Sequence, residues 1–134
     1  MMNFWLLLAA GVLSLLTALT HLVVGGHFIV RPLLRAADFR PVSKFTTYYA
    51  WRLVTIVLFT MSSGFFFAAA VPDQRPLVIV FAIISGAASV LNFGVIIYFK
   101  QKSTRLIQWI FFVPITILAV LALIAWSSCR FPTG

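Results

Sequence analysis

The chain has 134 residues, of which 63% are apolar and 9% are charged, and its mean hydropathy is +1.11. Soluble domains carry about 25% charged residues, so this composition excludes a soluble globular protein and indicates a single integral membrane domain, residues 1–134. The net charge of +8 is compatible with nucleic-acid binding. However, the basic residues occupy short connections where membrane topology explains them, and we expect no nucleic-acid partner. Cys129 is the only cysteine of the sequence, which excludes a disulfide within the chain.

Four apolar segments approach or exceed the roughly 20 residues that a helix needs to cross a bilayer. They cover residues 4–24, 45–70, 77–99 and 106–126. Because short connections join them, the sequence predicts an all-α integral membrane protein whose four transmembrane helices form an up-and-down bundle.

Polar residues, glycine and proline at the segment ends predict where the helices begin and break. Ser43 and Asp73 are suited to cap the second and third helices, and Pro76 suits the first turn of the third. The first helix is expected to break at Gly25-Gly26 and to continue only as a short interfacial turn.

Small and weakly polar residues recur at helical spacing on one face of the first helix and one face of the third. Such residues let transmembrane helices approach closely, so these faces are expected to pack against other helices. Gly86 lies at the centre of the third-helix face, where we expect a close approach of two backbones. The predicted packing residues are Ser14, Thr17, Ser85, Gly86 and Ser89.

Basic residues are distributed unequally between the two ends of the predicted bundle. The first and third connections together contain seven, whereas the opposite end has Arg75 and Arg130. By the positive-inside rule, both basic connections lie in the cytoplasm and both termini lie on the non-cytoplasmic side, as in a bacterial inner membrane protein. Basic residues beside a bilayer also attract anionic lipids. The predicted lipid contacts are Arg31, Arg35, Lys44, Lys100, Lys102 and Arg105.

The four helices are predicted to bring polar side chains to similar depth near the cytoplasmic end: His21, Arg52, Asn92 and Gln108. The four predicted ligand-binding residues are His21, Tyr48, Arg52 and Asn92. Ionisable groups inside a bilayer are costly and mark candidate functional sites. Since no acid lies close to His21 and Arg52 in the spans, the four residues predict a positive ligand-binding pocket for an anion. Each of three residues has a structural role as an alternative to ligand binding. Arg52 can extend to lipid phosphates. His21 can donate a hydrogen bond to a backbone carbonyl, and Asn92 can join two helices by a hydrogen bond.

The sequence lacks the common catalytic and metal-binding patterns. His21 and His27 are six residues apart, about 240° around a helix, so they do not face one metal ion or haem. Neither Asp38 nor Asp73 lies in a predicted span, which disfavours a catalytic triad and carboxylate-based proton coupling. We therefore expect no enzyme activity and no metal or other cofactor. A single axial bond from His21 to haem or chlorophyll remains an alternative.

Three functions are compatible with these observations. Small size, short loops and small-residue faces favour a non-catalytic accessory or scaffold subunit that joins other membrane subunits, or a homo-oligomer. The polar residues near the cytoplasmic end favour binding or transport of an anionic amphiphile, such as a lipid, a fatty acid or a quinone-like molecule. The third alternative is a haem or chlorophyll carrier that uses His21.

Overall fold

The computed structural model describes residues 2–100 and 109–128, and the regular structure within these ranges is helical. The elements are α1 (Met2–Thr20), a π-helical segment (His21–Val30), α2 (Arg31–Arg35), α3 (Pro41–Ala70), α4 (Arg75–Tyr98) and α5 (Trp109–Ser128). Four continuous helices are long and apolar enough to cross a membrane: Asn3–Arg35, Pro41–Ala70, Arg75–Tyr98 and Ile110–Ser127. The all-helical class with four candidate spans is therefore confirmed; the start of the predicted fourth span lies outside the described residues.

The first candidate span is one continuous helix, which we call the composite helix, formed by α1, the π-helical segment and α2 over Asn3–Arg35. Gly25 and Gly26 lie within the π-helical segment. The break expected there is wrong, because the helix continues through both glycines, and the Trp51 side chain of α3 packs directly over Gly25. Pro32 falls in the first turn of α2, directly after the π-helical segment.

Two of the expected helix caps are also wrong. Pro41 begins α3 without a side-chain cap, and Ser43 lies inside the first turn. The N-cap residue of α4 is Gln74, while Asp73 stands in the preceding turn with a φ of 65°. Proline has the φ angle of a helix already fixed, so Pro41 can start a helix without a capping hydroxyl. Pro76 lies in the first turn of α4, as expected.

The composite helix and α3 are both longer than a bilayer requires. At about 1.5 Å per residue, the 33 residues of the composite helix and the 30 residues of α3 extend about 50 Å and 45 Å. The hydrocarbon core of a bilayer is about 30 Å thick, or some 20 helical residues. If a bilayer core began at Ala70, its other boundary would fall near Trp51, and the first ten residues of α3 would reach into the head-group region.

The four long helices form a ring in which one side is loose. Each packs on its neighbours along the chain, and the composite helix also packs on α5, which closes the ring. Ser62 Oγ donates to the Gly11 carbonyl at 3.0 Å, and Thr55 contacts His21 further along, so the composite helix and α3 are antiparallel. The contact between α3 and α4 is the least extensive side of the ring.

Four of the five predicted packing residues are buried: Ser14, Thr17, Ser85 and Ser89. Ser85 Oγ lies 3.0 Å from Thr116 Oγ1 and joins α4 to α5. The close approach expected at Gly86 is not found, because an added Cβ would meet only Thr116 Cγ2 at 3.6 Å, an ordinary contact. Close approach occurs instead at Gly64, where an added Cβ would overlap the Phe81 ring.

The tightly packed core fills the half of the bundle that contains the start of α1 and the turn between α3 and α4. The rings of Phe65 and Phe81 lie 5.4 Å apart there and bring α3 against α4. The other half, towards the basic connections, contains the main clefts. The core residues are Leu7, Ala10, Met61, Phe65, Ala68, Val78, Phe81, Ile115, Ala119 and Ala122.

Candidate functional site

Trp51 is the residue around which the cavities of the looser half are arranged. Its indole stacks on the His21 imidazole, with ring centroids 3.9 Å apart and an interplanar angle of 13°. The indole also lies directly over Gly25, where an added Cβ would overlap it. Trp51 therefore fills the space between α3 and the π-helical segment, and a separate cleft lies on each side of it.

The first cleft, which we call the basic cleft, lies between the π-helical segment, α2 and the first turns of α3, and its volume is about 660 Å³. Arg52 Nε donates to Tyr48 Oη at 2.9 Å, and its guanidinium carbon stands 5.1 Å from the centre of the Tyr48 ring. These two contacts hold the exposed Arg52 side chain against α3 and leave its terminal nitrogens for a ligand. The lining residues are Leu22, Val23, Val24, Gly26, His27, Phe28, Val30, Arg31, Leu34, Tyr48, Trp51 and Arg52.

A second arginine faces the basic cleft from α2. Arg31 Nη1 lies 3.0 Å from His27 Nδ1. Because a guanidinium only donates hydrogen bonds, His27 Nδ1 must accept, and the imidazole proton is then on Nε2. Arg31, Arg52 and the His27 N–H thus supply donors to one cleft, and no carboxylate lines it among the residues described.

The second cleft, which we call the lateral cleft, opens on the loose side of the ring between α3 and α4. Its volume is about 410 Å³. Buried Asn92 and half-buried His21 line it together with Thr47, and its other walls are apolar. The lining residues are His21, Thr47, Ala50, Trp51, Val54, Ala88, Leu91, Asn92, Val95 and Phe112.

The structure divides the predicted four-residue pocket into two pairs. Tyr48 and Arg52 line the basic cleft, whereas His21 and Asn92 line the lateral cleft. The reason is the geometry of α3: Trp51 faces the composite helix, and its neighbour Arg52 is rotated about 100° away from it. Arg52 and His21 therefore do not face a common cavity.

Three residues of the two clefts were not predicted in the roles they have. Trp51 was not among the predicted site residues, whereas it separates the two clefts. His27 was given no ligand-binding role and Arg31 a role only as a lipid contact, although their i, i+4 spacing puts both on one helical face.

The predicted lipid contacts differ in their surroundings. Arg35 is exposed in a hollow that adjoins the basic cleft. Lys44 Nζ donates to the Leu34 carbonyl at 3.2 Å and ties α3 to α2. Lys100 is exposed at the end of α4, and Lys102 and Arg105 lie outside the described residues.

The described ranges contain no group of three His, Cys, Asp or Glu side chains that could hold a metal ion. Comparisons of the chain with protein-family models, curated proteins and solved structures found no match.

Proposed function

We propose that this chain is a non-catalytic, multi-pass membrane protein that binds or carries an anionic amphiphile, with the ligand's head group in the basic cleft. The observation that supports this function most strongly is the convergence of Arg31 and Arg52 on a cleft without a lining carboxylate. Two uncompensated guanidinium groups attract an anion, and arginine geometry suits the paired oxygens of a phosphate or carboxylate.

The depth of the cleft favours a ligand with one polar end and one apolar end. Arg52 follows Trp51, near the estimated boundary of the hydrocarbon core, where lipid head groups lie. Leu22 and Val23 form the apolar part of the same cleft. An alkyl chain could therefore follow these residues into the bilayer while its charged group contacts the arginines.

We further propose that the basic end of the bundle is cytoplasmic and that both termini are on the other side of a bacterial inner membrane. The support is the excess of seven basic residues in two connections over two at the opposite end. Reporter fusions after Asp73 and after the carboxyl terminus should both give an external signal. A cytoplasmic signal from either fusion would reverse the orientation.

The ligand-binding proposal is tested with oleate and dioleoyl phosphatidate, titrated into the protein in phosphatidylcholine nanodiscs. Arg52→Gln should weaken binding of both probes about tenfold or more, since charge-assisted hydrogen bonds contribute about 1.5–3 kcal/mol. Arg40→Gln removes an exposed charge that does not line the basic cleft, and it should change affinity little. Equal losses for the two variants would show a general charge effect and reject the site.

Mass spectrometry of the protein purified in mild detergent distinguishes a ligand-binding protein from an accessory subunit. A co-purified anionic lipid that is lost in Arg52→Gln supports the proposal. A stoichiometric second polypeptide without lipid in the cleft would favour the accessory subunit instead. No contact within residues 2–100 and 109–128 distinguishes a protein partner from a lipid. We prefer the ligand-binding function because Arg31 and Arg52 both line the basic cleft.

A further inference from the structure

The hydrogen bonds around His21 favour one tautomer of its ring. Thr55 Oγ1 lies 3.1 Å from the Trp51 carbonyl, and hydroxyls inside helices commonly donate to the carbonyl four residues earlier. With the single Thr55 hydrogen directed there, His21 Nδ1, which lies 3.1 Å from the same oxygen, is the donor of their contact. The neutral imidazole then carries its proton on Nδ1, and Nε2 has a lone pair that can accept a hydrogen bond.

The other contacts of His21 involve its Nδ1 atom and one face of its ring, and they do not involve Nε2. Thr55 occupies the Nδ1 edge of the ring, and Trp51 covers one ring face. No side chain or backbone group of the described ranges hydrogen-bonds to Nε2. His21 lines the lateral cleft with Asn92 and also a small apolar cavity of about 120 Å³ behind it.

The shape of the lateral cleft limits what can enter it. The contact of Phe65 with Phe81 closes the far end of the α3–α4 side. The part that stays open between the two helices has Leu91 and Val95 among its lining residues and has room for a thin alkyl chain.

The charges of the two clefts also differ. The lateral cleft is lined by no Lys, Arg, Asp or Glu among the residues described, whereas the basic cleft has two arginines. An anion would lose its hydration in the lateral cleft without gaining a counter-charge, so this cleft selects an uncharged head group.

We propose that the lateral cleft is a second ligand site, which binds the hydroxyl group of an uncharged long-chain amphiphile through His21 Nε2. The hydroxyl donates its hydrogen to Nε2, and Asn92 and Thr47 form the polar surroundings of the head group. The chain leaves between α3 and α4 past Leu91 and into the bilayer. This site is independent of the anion site in the basic cleft.

The test compares oleyl alcohol with oleyl methyl ether, which has the same chain and lacks the hydroxyl hydrogen. The full-length protein, labelled with ¹⁵N in its two histidines, is titrated with each probe in phosphatidylcholine nanodiscs. Oleyl alcohol should move the Nε2 resonance of His21 and bind about five- to tenfold more tightly than the ether, as expected for one neutral hydrogen bond. Equal affinities, or an unchanged Nε2 resonance at saturation, would overturn the proposal.

Two histidine variants provide a matched comparison. His21→Phe keeps an aromatic ring beside Trp51 and removes Nε2, so the preference for alcohol over ether should disappear. His27→Phe changes the basic cleft and should leave that preference intact. If His21→Phe does not fold, the wild-type comparison of alcohol and ether still decides. Oleate binding, measured in parallel, reports on the basic cleft and can fail without affecting this result.

Discussion

The adjacent glycines of the π-helical segment allow a direct test of the packing around Trp51. Gly25 and Gly26 have the same chemistry and neighbouring positions in one helix. An added Cβ at Gly25 would overlap the Trp51 indole, whereas one at Gly26 would have no atom within 4 Å. Gly25→Ala should therefore destabilise the protein relative to Gly26→Ala.

The size of the difference follows from two opposing effects. Replacing glycine by alanine in a helix favours folding by up to about 1 kcal/mol, and this gain is similar at both positions. At Gly25 the new methyl group must displace the Trp51 ring, which ends its stacking on His21. Lost aromatic stacking costs about 0.5–1.5 kcal/mol, and overpacking in a filled space costs about 1–3 kcal/mol in total. We expect Gly25→Ala to be about 1–3 kcal/mol less stable than Gly26→Ala.

Thermal unfolding in detergent, followed by circular dichroism, measures this difference. Gly26→Ala should melt at or above the wild-type temperature, and Gly25→Ala below it. Near-ultraviolet circular dichroism should also change in Gly25→Ala, because the environment of one of the four tryptophans is altered. Identical melting curves and identical near-ultraviolet spectra for the two variants would refute the assigned contact between the π-helical segment and α3.

Two further pairs of variants test the bundle away from the clefts by the same unfolding measurement. Gly64→Ala, whose methyl group would overlap the Phe81 ring, should lower stability by about 1–3 kcal/mol. Gly86→Ala, whose methyl group would make only an ordinary contact, should be as stable as wild type or more stable by up to about 1 kcal/mol. The reverse order would show that α3 and α4 meet elsewhere. Ser62→Ala removes a buried hydrogen bond to α1 and should lower stability by about 0.6 kcal/mol or slightly more. Ser63→Ala changes an exposed position and should have little effect. Equal losses of stability in the two variants would place the hydroxyl of Ser62 outside the interface.

The fold class could be predicted from sequence because it depends on long, apolar runs and on little else. Four segments of sufficient length with short connections leave few arrangements for a helical protein in a bilayer. Helix ends were less predictable. Ser43 and Asp73 resemble caps, but a proline two residues before Ser43 had already started α3, and tertiary packing carried the composite helix through Gly25 and Gly26.

The candidate site was harder to predict because depth along a helix is easier to estimate than rotation around it. His21 stacks on Trp51, the neighbour of Arg52 in α3, but only one side chain of α3 at that level can face the composite helix. Trp51 takes that position because its ring covers Gly25 and His21 together. The pairing of a large ring with a glycine on another helix depends on the register of two helices, which a single sequence does not specify.

The ring order of the helices has a consequence for biosynthesis. In a chain that enters a membrane span by span, the composite helix and α3 could pair as soon as the second span has left the ribosome. Because α4 packs mainly on α5, it would complete its packing only with the last span. During that interval α4 would contact α3 chiefly near the turn that joins them, and lipid would fill the rest of the gap. The lateral cleft would then be the part of that gap which α5 does not close, so lipid would occupy it from the time of insertion.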